Sequence, residues 1–403
     1  MKKQIIFAIS ILSFLIISTL FAILYGKGYR ISFKQNIPEI NKTGLLVVNS
    51  YPNGAQVFID NHLTTATNNT INLPPGIYDI KIQKEGYFPW QKKLKIETEV
   101  VTKTEALLFP VAPRLESIAT TPVLNPLIDP SGTKIAYQIA SDAASRKNGI
   151  YILNMNTNTI SVSILTLQSS STQIADDTAT LFSQAKLKWS LDGTQILAQI
   201  QDSTQNISTY LLKTDRLNED PQDVTAILQS VEDSWRREKQ QKERSLLADI
   251  KENTHKLIAD NFSILAWSPD ETKILYEASI SAQLPLIIKP RRLGIDSLAE
   301  KRQITKGEVY VYDTKEDTNM KIPIVLSDSN SQISWLPDSS HLLYINDKKI
   351  IIMDTDGSNR ITVYAGPFID TFAVPWPDNS KIVILTNLGN PEASPTLYTI
   401  GLK

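Results

Sequence analysis

The sequence predicts a mainly β chain in three parts: an N-terminal transmembrane helix, a small β-sandwich, and a β-propeller of five blades, with six the alternative, carrying a helical insertion. Three observations predict it. Residues 5–25 carry no charge, residues 44–109 break into short β-rich runs at turn signals, and a turn of the type "WSPDETKILY" recurs five times after residue 110.

Ile5 to Tyr25 suits a membrane span, because a helix of this length covers roughly 30 Å, the thickness of a bilayer core. Its serines and Thr19 can return their hydroxyls to helix carbonyls. A cleaved signal peptide would have a shorter apolar core and a small-residue site after it; "YGKGYRISF" follows instead. The expectation is an uncleaved anchor over 1–30. Lys2 and Lys3 precede the span, and Lys27, Arg30 and Lys34 follow it. Positive charge therefore does not orient it.

In 44–109, "LLVVNS" stops at Pro52-Asn53-Gly54, "AQVFID" at Asp60-Asn61, and "PPG" at 74–76 precedes the alternating strand "IYDIKIQKEGY". Strands this short between tight turns make a compact sandwich. The pattern L-x-V-x-S-x-P-x-G-A-x-V at 46–57, the Ile59-Asp60 pair, L-x-P-G at 73–76 and K-x-G-Y at 84–87 resemble the PEGA domain. Asn53 stands where that family has Glu, and Asn61 where it often has Gly. Asn tolerates the left-handed conformation, so both turns survive. The resemblance implies an extracytoplasmic sandwich of the cell envelope that spaces or binds, with no catalytic residue.

After residue 110 the turn copies are "LIDPSGTKIAYQIA" from 127, "KWSLDGTQILAQI" from 188, "AWSPDETKILYEAS" from 266, "SWLPDSSHLLYIN" from 334 and "PWPDNSKIVILTN" from 375. Each is followed by a second strand, such as "KKIIIMDTDGSNR". Such self-similarity means a propeller or an array. The strand "KILYEA" is apolar on both sides, as for a sheet between two others. Trp189, Trp267, Trp335 and Trp376 are read as wedges between blades. Setting aside 216–259 and 283–306 leaves about 45 residues per copy, near the length of a four-stranded blade. The repeats resemble the TolB-like, WD40-like propeller family, most clearly at "IIIMDTDGSNRITVY". That resemblance fixes a fold better than a function. "TLYTIGLK" ends the last copy one strand short, so a strand from 105–121 is expected to complete it.

Chemistry is sparse. With 41 basic and 42 acidic residues the chain is near neutral, which argues against a general nucleic-acid binder. It has no cysteine, and its three histidines lie far apart. Neither a metal site nor a cofactor is expected. "DTDGSN" at 354–359 lacks the Gly and Glu positions of a calcium loop and reads as a hairpin turn. No G-x-S-x-G elbow occurs.

The insertion, about 217–258, is helical and polar in its middle, so two helical pieces or a solvent-bridging helix are expected. Trp235, Arg236 and Arg237 within it are the candidate partner-binding residues, since large aromatics and Arg dominate binding hot spots. The expected function is that of a non-catalytic, single-pass, membrane-anchored envelope protein, mostly outside the cytoplasm. Its propeller (110–403) binds a protein or a cell-wall polymer. The alternatives are an enzyme with its site at the central channel and a purely structural component.

Overall fold

The computed structural model describes residues 2–26, 30–34, 37–119, 121–141, 145–156, 171–201, 205–248, 250–291, 299–326, 331–369 and 371–403. The chain divides into two compact units. One comprises Met1–Val111, Pro285–Arg302 and Glu316–Met320; the other comprises Ala112–Leu284, Gln303–Lys315 and Lys321–Lys403.

The first unit begins with helix α1, Lys2–Gly26. Among the described residues no helix is long and apolar enough to cross a membrane. The anchor expected over 1–30 falls on this helix and on residues 1 and 27–29, which lie outside the described residues.

Two sheets follow. Gly44–Tyr51 lies between Asn69–Leu73, antiparallel, and Val101–Leu107, parallel. The second sheet is ordered His62–Ala66, Gln56–Ile59, Gly76–Gln83, Trp90–Ile96. Alternation sets the packing: Leu46, Val48, Val57, Ile80, Ile82, Trp90 and Leu94 point inward and form one core. This is the expected sandwich. Asp60 and Asn61 take the left-handed conformation at their turn, with φ 48° and 65°.

The chain after residue 111 forms five four-stranded sheets. Blade 1 comprises Leu124–Ile128, Lys134–Ile139, Gly149–Asn154 and Ser171–Asp176; blade 2, Lys186–Trp189, Gln195–Gln201, Ile207–Lys213 and Gln222–Asp223. Blade 3 comprises Phe262–Trp267, Lys273–Ala278, Val309–Asp313 and Thr318–Ile322; blade 4, Gln332–Trp335, His341–Asn346, Lys349–Asp354 and Ile361–Ala365. Blade 5 takes three strands from the end of the chain, Ala373–Pro375, Lys381–Thr386 and Thr396–Gly401. Its fourth is Leu115–Ser117, paired with Tyr398–Ile400.

The two faces of blade 1 close the ring. Ala136, Ile150 and Ile152 pack with Trp189, Ile196 and Ala198 of blade 2. Ile135, Tyr137 and Leu153, on the alternate face, pack with Val383, Leu385 and Leu397 of blade 5. Leu275 and Val311 of blade 3 likewise meet Trp335 and Leu342 of blade 4. First against last is the arrangement of a β-propeller. The blade count is five among the described residues.

The insertion starts later than the sequence suggests. Gln222–Asp223 is the fourth strand of blade 2, paired with Tyr210 and Leu211, so the expected start at 217 is corrected to after residue 223. The insertion then forms two helices, α2 (Leu228–Ala248) and α3 (Glu252–Asn261). Helix α3 buries Thr254, Leu257 and Ile258 and leads straight into blade 3. Helix α2 buries no residue fully.

Candidate functional site

The repeated turns are the most polar recurring feature of the second unit, and their chemistry turns inward. In blade 3, Ser268 donates to Asp270 Oδ1 at 2.6 Å and Thr272 to Asp270 Oδ2 at 2.9 Å, while the Lys273 amide donates to Ser268 Oγ at 2.9 Å. Blade 2 repeats this with Ser190, Asp192, Thr194 and Gln195. In blade 1, Asp129 takes both roles, accepting from Ser131 Oγ and from the Thr133 and Lys134 amides. Hydrogen bonds from Ser190 and Thr194 hold Asp192 below the usual carboxylate range. Burial opposes ionisation of Asp270, but its bonds to Ser268 and Thr272 outweigh that and lower it too. These carboxylates are occupied in forming turns.

The turns also fasten neighbouring blades. Trp189 Nε1 donates to the Leu127 carbonyl at 3.1 Å, and Trp335 Nε1 to the equivalent Ala266 carbonyl at 3.5 Å. Trp376 is shifted by one residue. Its amide bonds to the Lys381 carbonyl as the Ser190 amide does to Gln195, so Pro375 takes the backbone position of Trp189. Trp376 still packs against the core shared by blades 1 and 5. There the Lys381 ammonium sits 4.3 Å from its ring centre.

His341 is enclosed in blade 4. Its Nδ1 lies 2.8 Å from Asp338 Oδ2 and its Nε2 lies 3.5 Å from Asp354 Oδ1. Burial disfavours its charge, but the Asp338 bond and the fields of Asp338, Asp354 and Asp356 outweigh it and raise its pKa. The "DTDGSN" segment is the expected hairpin turn, with Gly357 at φ 78°. Asn359 and Ser358 donate to Asp354 and Asp356. Among the described residues no group of three or more His, Asp or Glu could hold a metal ion.

The first unit holds a second polar cluster that sequence reasoning did not assemble. Arg302 pairs with Glu300 at 2.7 Å and Asp317 at 3.0 Å, and Arg291 also pairs with Glu300. Asp317 additionally accepts from the Ile287 and Ile288 amides. With Glu300 and Asp317 almost fully buried, the network ties Ile287, Ile288 and Arg291 to Glu300, Arg302 and Asp317.

Trp235, Arg236 and Arg237 all lie on α2, but they do not form one surface. At about 100° per residue, neighbours on a helix face different ways. Trp235 is half-buried and shares a side with the half-buried Leu228, Val231 and Leu246. Arg236 and Arg237 are exposed on the other side. Arg236 pairs with Asp233 at 2.9 Å, and Arg237 Nε donates to the Asp233 carbonyl at 3.3 Å. Every residue from 236 to 245 is exposed. Helical spacing brings Gln240, Gln241 and Arg244 onto the Arg236–Arg237 side, a grouping the sequence contains but adjacency in the chain conceals. Lys188 of blade 2 pairs with Glu232 at 2.5 Å and fixes the start of α2.

Residues 43–110 match the PEGA domain model. No curated protein matches the chain. Solved structures similar to it include TolB from Acinetobacter baumannii, at 14% identity and TM-score 0.23, covering 81% of this chain and 60% of that one. A putative TolB from Agrobacterium tumefaciens has 12% identity and TM-score 0.22, covering 72% of this chain and 99% of that one. An oligogalacturonate lyase in complex with manganese has 11% identity and TM-score 0.22, covering 81% and 74%. The chain thus spans under two thirds of the first of these. With scores this low, the propeller rests on its own sheets and core.

Proposed function

We propose that this is a non-catalytic, membrane-anchored protein of the cell envelope, whose propeller binds a protein or a cell-wall polymer and whose PEGA domain acts as spacer or binding module. The observation that carries the binding reading is α2. A closed ring of sheets, whose turn carboxylates are engaged in its own hydrogen bonds, holds out a helix with ten consecutive exposed residues, 236–245. That suits rigid presentation of a surface and involves no turnover.

The anchor reading is supported by the apolar side chains that α1 leaves exposed, including Ile6, Phe7, Leu12, Phe14, Ile16 and Phe21. Large apolar groups on every side of a helix suit lipid. Spheroplasts of expressing cells test localisation. External protease should digest the folded units, and the N-terminal sequence should begin at or near Met1. Full protection would place the protein inside; a mature N-terminus near residue 26 would mean cleavage. Co-sedimentation with isolated wall material and cross-linking to envelope proteins test binding. Capture of neither would leave the structural-component reading.

A further inference from the structure

We propose that Asn53 is a site of self-modification: in the folded protein its side-chain amide is converted, without an enzyme, to aspartate and isoaspartate through a cyclic imide with Gly54, and the Lys84 ammonium assists the reaction.

The chemistry needs two free groups. The Gly54 nitrogen, once it has lost its proton, attacks the side-chain carbonyl carbon of Asn53. A carbon–nitrogen bond forms and ammonia leaves, which closes a five-membered imide. Water then opens the imide at either carbonyl and gives aspartate or isoaspartate. The net change is water in and ammonia out. Glycine suits the attacking position because no Cβ crowds its nitrogen.

The sequence holds two Asn-Gly pairs, Asn53-Gly54 and Asn148-Gly149, and the fold treats them oppositely. Asn53 and Gly54 are both exposed. Among the described residues, neither the Asn53 side-chain amide nor the Gly54 N–H has a hydrogen-bond partner. A Cβ placed on Gly54 would meet nothing nearer than Lys84 Nζ, at 3.8 Å, so the imide has room to close. Asn148 is held at both ends of its amide. Its Nδ2 donates to the Ser141 carbonyl at 2.8 Å, and its Oδ1 accepts from the Ser141 amide and hydroxyl at 3.1 Å each. Gly149 is buried in blade 1, where a Cβ would overlap the Ala175 carbonyl. The Asp-Gly pairs, which could close the same ring, are engaged too. Gly193 and Gly357 N–H donate to the Ser190 and Asp354 carbonyls, while Asp192 and Asp356 accept from Ser190 and Ser358.

Lys84 supplies the assistance. Its Nζ donates to the backbone carbonyl oxygen of Asn53 at 2.9 Å. That oxygen belongs to the same peptide unit as the Gly54 N–H. When the proton leaves, resonance within the unit places negative charge on the oxygen, and a cation bonded there favours the charged form. The base of the turn is held separately. Ser50 Oγ donates to the Pro52 carbonyl at 2.7 Å, and the Ala55 amide donates to Thr67 Oγ1 at 3.1 Å. The sandwich therefore keeps its fold while the tip gains a negative charge and, as isoaspartate, one more backbone atom. The turn records the age of the chain.

The test incubates the full chain, in a neutral detergent and mildly alkaline buffer, over several days. Peptide mass spectrometry follows Asn53 and Asn148, and an isoaspartyl-specific carboxyl methyltransferase with a labelled methyl donor reports the isomer. In the folded chain Asn53 should convert at least ten-fold faster than Asn148. In urea, where neither pair is held, the two rates should come within about two-fold. Lys84→Gln should slow Asn53 at least three-fold in the folded chain and leave its rate in urea unchanged. Lys84→Arg, which keeps the charge, should convert like the parent. No conversion at Asn53, or equal conversion of Asn53 and Asn148 in the folded chain, overturns the proposal. Conversion of Lys84→Gln at the parent rate overturns the part given to Lys84.

Discussion

His341 shows how one buried side chain makes the ring sensitive to pH. Its ordinary pKa of 6.5 is raised in the fold, so its contribution is complete below 6.5 and fades as pH rises through the raised value. Asp338 moves the other way. Burial pushes it up, but the His341 bond and the Ser340 and His341 amides hold it below 3.8. Its contribution is present above 3.8 and fades in acid. The pair therefore stabilises most between those limits. The melting temperature should fall as pH rises from 6 through the raised pKa of His341. His341→Gln should lose that slope, and a slope shared by parent and variant would discount the pair. The turns offer a second residue-scale test. The residue after the turn Asp, or its counterpart, is left-handed in all five copies: Gly132, Gly193, Glu271, Ser339 and Asn379. A Cβ on Gly193 would lie 2.8 Å from Asp129 Oδ2 in the neighbouring blade. Gly193→Ala should cost about 1–3 kcal/mol, and Glu271→Gly should stabilise by about 0.5–1 kcal/mol, both read from chemical denaturation.

At the scale of elements, the insertion divides into a part that folds the protein and a part that the protein displays. Leu257 on α3 is buried, so Leu257→Ala should cost about 2–5 kcal/mol. Arg244→Ala on α2 should stay within about 0.5 kcal/mol. Equal costs in denaturant melts would erase the distinction. Replacing 220–256 as a block should destabilise the ring, because it removes both Gln222–Asp223 and the buried part of α3. The sequence made the repeats, the sandwich, the two-piece insertion and the closing strand legible, since apolar alternation and turn residues are local signals. It did not mark Gln222–Asp223. An exposed outer strand of two polar residues has no second blade to face and so no apolar pattern. It set Trp376 one residue out of register, because "WPDNS" and "WLPDSS" look alike until backbone bonds fix the register, although its ring still packs between blades 1 and 5. It joined Trp235 to Arg236 by adjacency where a helix separates them by face. It left Glu300 and Asp317 apart, since buried ion pairs between distant segments leave no local trace.

At the scale of the whole propeller, stability depends on a join between the two ends of the second unit. Ile118 N–H donates to the Leu397 carbonyl at 2.9 Å, and Gly401 N–H to the Arg114 carbonyl at 2.8 Å. Antiparallel pairs alternate between bonded and unbonded positions, so Glu116, opposite Thr399, also sits at a bonded position. Its side chain is exposed. Glu116→Pro thus removes an inward-facing donor without emptying any core space. Blade 2 supplies a matched control. Val224 N–H donates to the Thr209 carbonyl, which places Gln222, opposite Leu211, at the same kind of position in an outer strand that joins no chain ends. Gln222→Pro should fray one short strand while the chain on either side stays tethered by the ring. Glu116→Pro should release the last blade, expose the edge of Thr396–Gly401 and invite pairing with another copy. The expected result is a larger loss of melting temperature for Glu116→Pro, with dimers or larger species by light scattering. Monomeric behaviour and equal melting of the two variants would show that the packing of blade 5 on blade 1, through Val383, Leu385, Ile135 and Tyr137, holds the ring shut without the strand.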